Sequence, residues 1–409
     1  MKPETMIEST LGEWADEARV PAGLADRALH RNTRRRRIRI AAFGGTSALL
    51  AGATAVALIS GGVSEGPARP DVVFEPVALS SDTTLRTDLD NGFPERLVAA
   101  GRTAVAAYYT GNRPMGAMGT LRRTWHLYNP STGTYEKTDW AYLDVAPGMQ
   151  RAAVLKGPLP ASRVGVFDMK TRKVTHWIRV EKPVAGLSWS PDGRKLLLTS
   201  YSSNPDTTPE PYKRPKNLET RHDPNAPKGP PKSPRTGYYV VNSKAEPSRF
   251  HALPGSPDNF NLRQDMEWSR DGTLVWTRPS DSKQKKVFYD LNGKQRPAPA
   301  NEAELGQEAS LSPNGKLLAG GKLPSRPPGV SVTSVDNGRE VAVLPIQQAL
   351  AWADNSRLFA IGCEAKKCKG KNEFRNRLLL ITLKGRITPL TGYQRSDRAG
   401  SWTPVFTHR

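Results

Sequence analysis

Cysteine is nearly absent. Two in 409 residues, Cys363 and Cys368, are too few for a disulfide framework or a four-cysteine zinc site. Histidine is scarce as well. The six, at His30, His126, His176, His222, His251 and His408, include no His-x-x-x-His or His-Glu-x-x-His pair, so zinc-hydrolase signatures are missing. No glycine loop of the phosphate-binding kind occurs, and Asp88-Leu-Asp-Asn-Gly92 lacks the glycine placement and distal glutamate of a calcium loop. Acids are under-supplied: 39 Asp and Glu against 60 Lys and Arg leave a net charge of +21. A mean hydropathy of −0.56 rules out a multi-span membrane protein, while 37% hydrophobic residues are too many for a wholly disordered chain.

One long hydrophobic run is present. Residues 40–63 carry no charge over 24 positions, enough for a helix to span a bilayer core. Arg34, Arg35, Arg36, Arg37 and Arg39 precede it, and Gly61, Gly62, Ser64 and Glu65 close it. The positive-inside asymmetry predicts a cytoplasmic segment 1–39, a transmembrane helix 40–63 and an extracytoplasmic remainder, with the cell membrane as the location. A cleaved signal peptide is the rival, but it would need a 39-residue leader containing six acids. Within 1–39, Ile7, Leu11, Trp14 and Ala18 keep helical spacing, which predicts a short amphipathic helix.

The remainder is repetitive. Leu187-Ser-Trp-Ser-Pro-Asp-Gly-Arg-Lys-Leu, Met266-Glu-Trp-Ser-Arg-Asp-Gly-Thr-Leu, Ala309-Ser-Leu-Ser-Pro-Asn-Gly-Lys-Leu and Leu350-Ala-Trp-Ala-Asp-Asn-Ser-Arg-Leu align. In each, a large apolar residue (Trp189, Trp268, Leu311, Trp352) precedes a tight turn. The turn pairs Asp192-Gly193, Asp271-Gly272 and Asn314-Gly315 tolerate positive φ. Asp144-Val-Ala-Pro-Gly-Met is a fifth copy with a shorter turn, and Leu97-Val-Ala-Ala-Gly-Arg a degenerate sixth. Glycines 148, 193, 272 and 315 are 45, 79 and 43 residues apart. The long interval holds an insertion at 202–237 with nine prolines, which cannot join a strand ladder. Without it the period is about 45 residues, a blade-sized unit of four strands.

The Trp-Ser-Pro-Asp-Gly-x-x-Leu unit resembles the WD40-like repeats of TolB-type β-propellers, here bacterial and membrane-anchored, over residues 95–392. The resemblance implies an all-β fold: a six-bladed propeller at 95–409, or a seven-bladed one if Ser401-Trp-Thr-Pro404 begins another copy. Residues 64–94 become a linker with a potential closing strand. The motif is specific for the fold and silent about activity.

Two functional classes stay open. The first is a membrane-tethered, extracytoplasmic binding or scaffold protein of the cell envelope, without catalysis or cofactor. The second is an envelope enzyme, a glycan or lactone lyase or hydrolase, with its site at the channel mouth. Trp189, Trp268 and Trp352 recur at one repeat phase, as inter-blade core residues do; a sugar-stacking ladder is the other reading. Cys363 and Cys368 flank four residues in an extracytoplasmic hairpin and are disulfide candidates. Lys366, Lys367, Lys369 and Lys371 beside them are candidate contacts for an anionic envelope polymer. The partner classes are thus the membrane, a protein or a polyanion; nucleic acid does not suit the compartment.

Overall fold

Strand composition grades from the inside of each sheet outward. Leu196–Tyr201 is buried at every position, as a strand covered on both faces must be. Arg122–Asn129 alternates, with Trp125, Leu127 and Asn129 buried. Glu340–Leu344, an outermost strand, buries only Leu344. The computed structural model describes Phe74 and residues 79–112, 119–208, 233–242, 247, 249–253, 263–278, 285–303, 309, 311–320, 329–362, 375–395 and 402–409. All of them fall in the compact unit Arg69–Arg409.

The turns show why the repeat needs its residues. Ser190, Ser269 and Ser312 are fully buried. Each hydroxyl donates to the turn residue two positions on, Asp192, Asp271 or Asn314, at 2.6–2.7 Å. Each also accepts the amide five positions on, from Lys195, Leu274 or Leu317, at 2.9–3.0 Å. Gly193, Gly272 and Gly315 follow at φ of 69°, 68° and 70°, where a side chain is strained.

The first sheet runs, in space, Trp402–His408, Thr103–Asn112, Arg122–Asn129, Thr134–Thr138. The last described strand is therefore the innermost strand of the first sheet. Its register pairs Thr103 with His408 and Thr110 with Trp402, antiparallel. Gln348–Trp352, Arg357–Gly362, Arg375–Thr382 and Ile387–Pro389 form another four-strand meander, as do Glu267–Trp268, Leu274–Thr277, Val287–Asp290 and Gln295–Arg296.

Six separate four-stranded sheets are not what is seen: four sheets reach four or more strands. The reason lies in two places. The 17-residue strand Lys173–Trp189 pairs through its first part with Ala161–Asp168 and through its last part with Leu196–Tyr201. It thereby fuses two meanders into one seven-stranded sheet. In the sheet of Leu317–Ala319, Val330–Ser334 and Glu340–Leu344, the expected inner strand is reduced to one bridge, Leu311 to Leu318. The architecture is all-β and propeller-like.

Among the described residues there is no helix, and so none long and apolar enough to cross a membrane. The expected cytoplasmic helix within 1–39 and the span 40–63 lie outside them. So do most of the proline-rich insertion and residues 363–374, with Cys363, Cys368 and the four lysines. The described ends of the insertion correct the expectation that it stays out of the ladders: Thr207–Thr208 pairs with Gly119–Thr120, and the strand Arg235–Val241, which begins inside it, pairs with Leu196–Tyr201, at positions free of proline.

Candidate functional site

The inner strands converge on a cavity of about 520 Å³. Its wall includes Asp144, Ser188, Ala351 and Thr407, and Trp189 and Trp352 also line it. Turn residues Pro147, Pro191, Pro313 and Arg270 contribute beside them. Asp144, Ser188 and Ala351 hold one repeat phase, directly before Val145, Trp189 and Trp352. Strand alternation puts that phase on the face opposite the packed side chain that follows it.

The strands around the cavity are stitched to one another by hydrogen bonds. His408 O accepts from Gly148 N at 2.7 Å, and Asp144 Oδ2 accepts from Trp189 N at 2.7 Å. Trp268 Nε1 donates to Ser188 O at 2.9 Å, and Arg270 Nη1 to Pro313 O at 2.8 Å. Asn314 N donates to Asn355 Oδ1 at 2.9 Å, and Thr103 Oγ1 to Trp352 O at 2.9 Å. The last bond returns the circuit to the first sheet.

Asp144 is the acid of this wall. Burial pushes its carboxyl up to about 6, against the pull of the Trp189 and Val145 amides that bond to it. His408 also lines the cavity; its side chain is exposed, and partial desolvation by the surrounding wall holds its imidazole below the ordinary histidine range. No hydrogen bond joins the two among the described residues.

Further along the same strands a buried ionic cluster is built from four separate stretches of chain. Asp206 accepts from both Nη atoms of Arg123 and from Nε and Nη2 of Arg263, the last two at 2.8 and 2.6 Å. Arg263 also reaches Asp265 at 3.0 Å and Ala185 O at 2.8 Å. Tyr201 and Tyr142 donate to the two oxygens of Asp265 at 2.7 and 3.1 Å. The Arg263 guanidinium lies 4.5 Å from the Tyr142 ring centroid. Burial would raise the Asp206 carboxyl, but the Arg263 and Arg123 hydrogen bonds outweigh it and hold it near 2. Gly186 makes room: a Cβ there would run into the Asp265 carboxylate. Thr207–Thr208 pairs with Gly119–Thr120, so the Asp206 segment crosses from one sheet to another as a strap.

Of the residues singled out in the sequence, Trp189, Trp268 and Trp352 are buried at 6%, 9% and 6% exposure, and Leu311 is half-buried. Asp192, Gly193, Asp271, Gly272, Asn314 and Gly315 occupy the tight turns, away from the ionic cluster. Asp144 had only a weak signal: its repeat phase is held by Ser188, Glu267, Ser310 and Ala351 in the other copies, so a carboxylate there is not unique to it. Arg123, Asp206, Arg263 and Asp265 had none. Among the described residues no three His, Cys, Asp or Glu side chains converge as a metal site requires.

No protein-family model matches the chain. No curated protein matches it either. Solved structures similar to it include TolB from Acinetobacter baumannii, 14% identical, with 76% of this chain and 68% of that one covered and a TM-score of 0.39. The β-propeller domain of the Trilobed protease from Pyrococcus furiosus is 14% identical, with 76% and 96% covered and a TM-score of 0.40. Pyrococcus horikoshii acylaminoacyl peptidase is 14% identical over 75% of this chain and 47% of that one, at a TM-score of 0.41.

Proposed function

We propose that the chain is a membrane-tethered, extracytoplasmic β-propeller of the cell envelope that binds a ligand in its axial cavity. The observation that carries the reading is the cavity itself: about 520 Å³, bounded by inner-strand and turn residues from every sheet of the meander series. Four sheets reach four or more strands; counting the fused seven-stranded sheet as two, and the sheet entered at Leu311 as one with a shortened inner strand, supports a reading of six blades. The circuit of hydrogen bonds from His408 round to Trp352 supports a closed ring of that number. Residues 40–63 supply the tether, and the arginines before them the orientation.

Protease added outside intact cells should then degrade the propeller and spare residues 1–39. A mature chain beginning near residue 64 would contradict the tether. The basic stretch of sequence between Gly362 and Arg375 extends the reading to anionic envelope polymers. Replacing Lys366, Lys367, Lys369 and Lys371 with serine should leave thermal stability within about 0.5 kcal/mol and weaken salt-sensitive retention on anionic vesicles. Equal retention of variant and wild type would remove the polyanion from the account.

Asp144 and His408 in one cavity favour a second reading, an envelope hydrolase or lyase using a carboxylate and an imidazole. Material recovered with the protein from its membrane separates the two: a ligand returned chemically unchanged after incubation speaks for binding, a converted one for catalysis.

A further inference from the structure

The cavity carries a charge for which the described residues supply no counter-ion. Asp144 lies on its wall, half-buried, and its hydrogen bonds come from two backbone amides, those of Trp189 and Val145. Among the described residues no cation contributes to its environment or forms an ion pair with it. The cations nearby are otherwise engaged. Arg270 donates to Pro313 O, and the Arg151 guanidinium lies 5.6 and 5.8 Å from the Phe74 and Trp189 rings. The His408 imidazole is shifted below the ordinary histidine range.

A half-buried carboxylate with lone pairs to spare in a ligand-sized cavity is costly alone and favourable against a bound cation. Trp352, Leu350 and Phe406 supply an apolar and aromatic wall on which an organic body can rest. On these grounds we propose that the axial cavity takes a small organic amine, its ammonium against the Asp144 carboxylate and its apolar body against Trp352 and Phe406. This rests on the reading of the cavity as a binding site and names the class of molecule bound there.

The test compares three probes of one shape, phenethylamine, phenethyl alcohol and phenylacetate, by calorimetric titration into the full chain at pH 8. Phenethylamine should bind at least about tenfold more tightly than the other two, the worth of one charge-assisted contact. In Asp144→Asn, which keeps an acceptor for the Trp189 amide, the preference should fall to within about twofold. That variant should unfold at no lower a temperature than wild type, because it removes an uncompensated buried charge, which separates lost binding from lost fold. Two results overturn the amine assignment: phenethyl alcohol or phenylacetate binding as well as phenethylamine, or an amine preference that survives in Asp144→Asn. The first leaves a cavity that binds something else, so the binding reading stands or falls separately, on what the protein brings from its membrane.

Discussion

Asp206→Ala should destabilise the protein by about 3–5 kcal/mol, the usual result of removing one partner from a buried ion pair. The loss is large because the carboxylate serves two cations. Arg123 and Arg263 each place two N–H groups on it, and their side chains are 6% and 13% exposed. Without Asp206 two guanidiniums face one another with one remaining carboxylate, Asp265, held by Arg263, Tyr201 and Tyr142. Removing Arg123 as well, as Asp206→Ala with Arg123→Met, should recover part of the loss, since an apolar pair tolerates burial that a lone cation does not. Chemical denaturation at pH 7 measures both.

Acid supplies an independent readout of the same group. Asp206 is held near 2 in the folded protein, below its ordinary value of 3.8. Its folded value is depressed, so its contribution is complete above about pH 4 and is lost as the pH falls toward 2. The wild type should lose about 2 kcal/mol from this group across that window, and Asp206→Ala should lack that component. A variant within about 1 kcal/mol of wild type, with the same acid profile, would show that the strap is held by something other than this cluster.

What the sequence disclosed depended on how local the physics is. Ser190, Asp192 and Gly193 make a turn whose hydrogen bonds close within five residues, and the same letters at 269–272 and 312–315 make the same turn. Such units are legible because no distant partner is needed. The blade boundaries were less so. The strand Lys173–Trp189 passes through Pro183, so one strand serves two meanders. The proline sits where the strand changes partners, between the Arg163–Arg179 and Val184–Ser200 pairs, and a missing N–H is tolerated there. The ionic cluster was invisible, because residues 123, 142, 201, 206, 263 and 265 meet only after several sheets have packed together. Asp144 lay between these cases. The repeat gives its phase, while its lack of a counter-ion is a property of the assembled cavity.

The closing strand bears on everything said of the cavity. Trp402–His408 pairs with Thr103–Asn112 across about 300 residues of chain, and Trp402 is buried against Tyr108, with ring centroids 5.4 Å apart. Arg409 extends the seal: its backbone N–H donates to Arg102 O at 2.9 Å and its guanidinium reaches Thr84 O at 2.6 Å. Without these bonds the first sheet would lose its inner strand and the cavity the wall that carries Phe406, Thr407 and His408. The direct measurement is native-state hydrogen exchange on the full chain. If the ring is closed, the bonded amides of Trp402–His408 should exchange as slowly as those of Leu196–Tyr201, by global unfolding, and at least about 1,000-fold slower than an unstructured segment. Exchange of Trp402–His408 at the rate of a free tail, while Leu196–Tyr201 stays protected, would contradict a closed ring and remove the axial cavity with it.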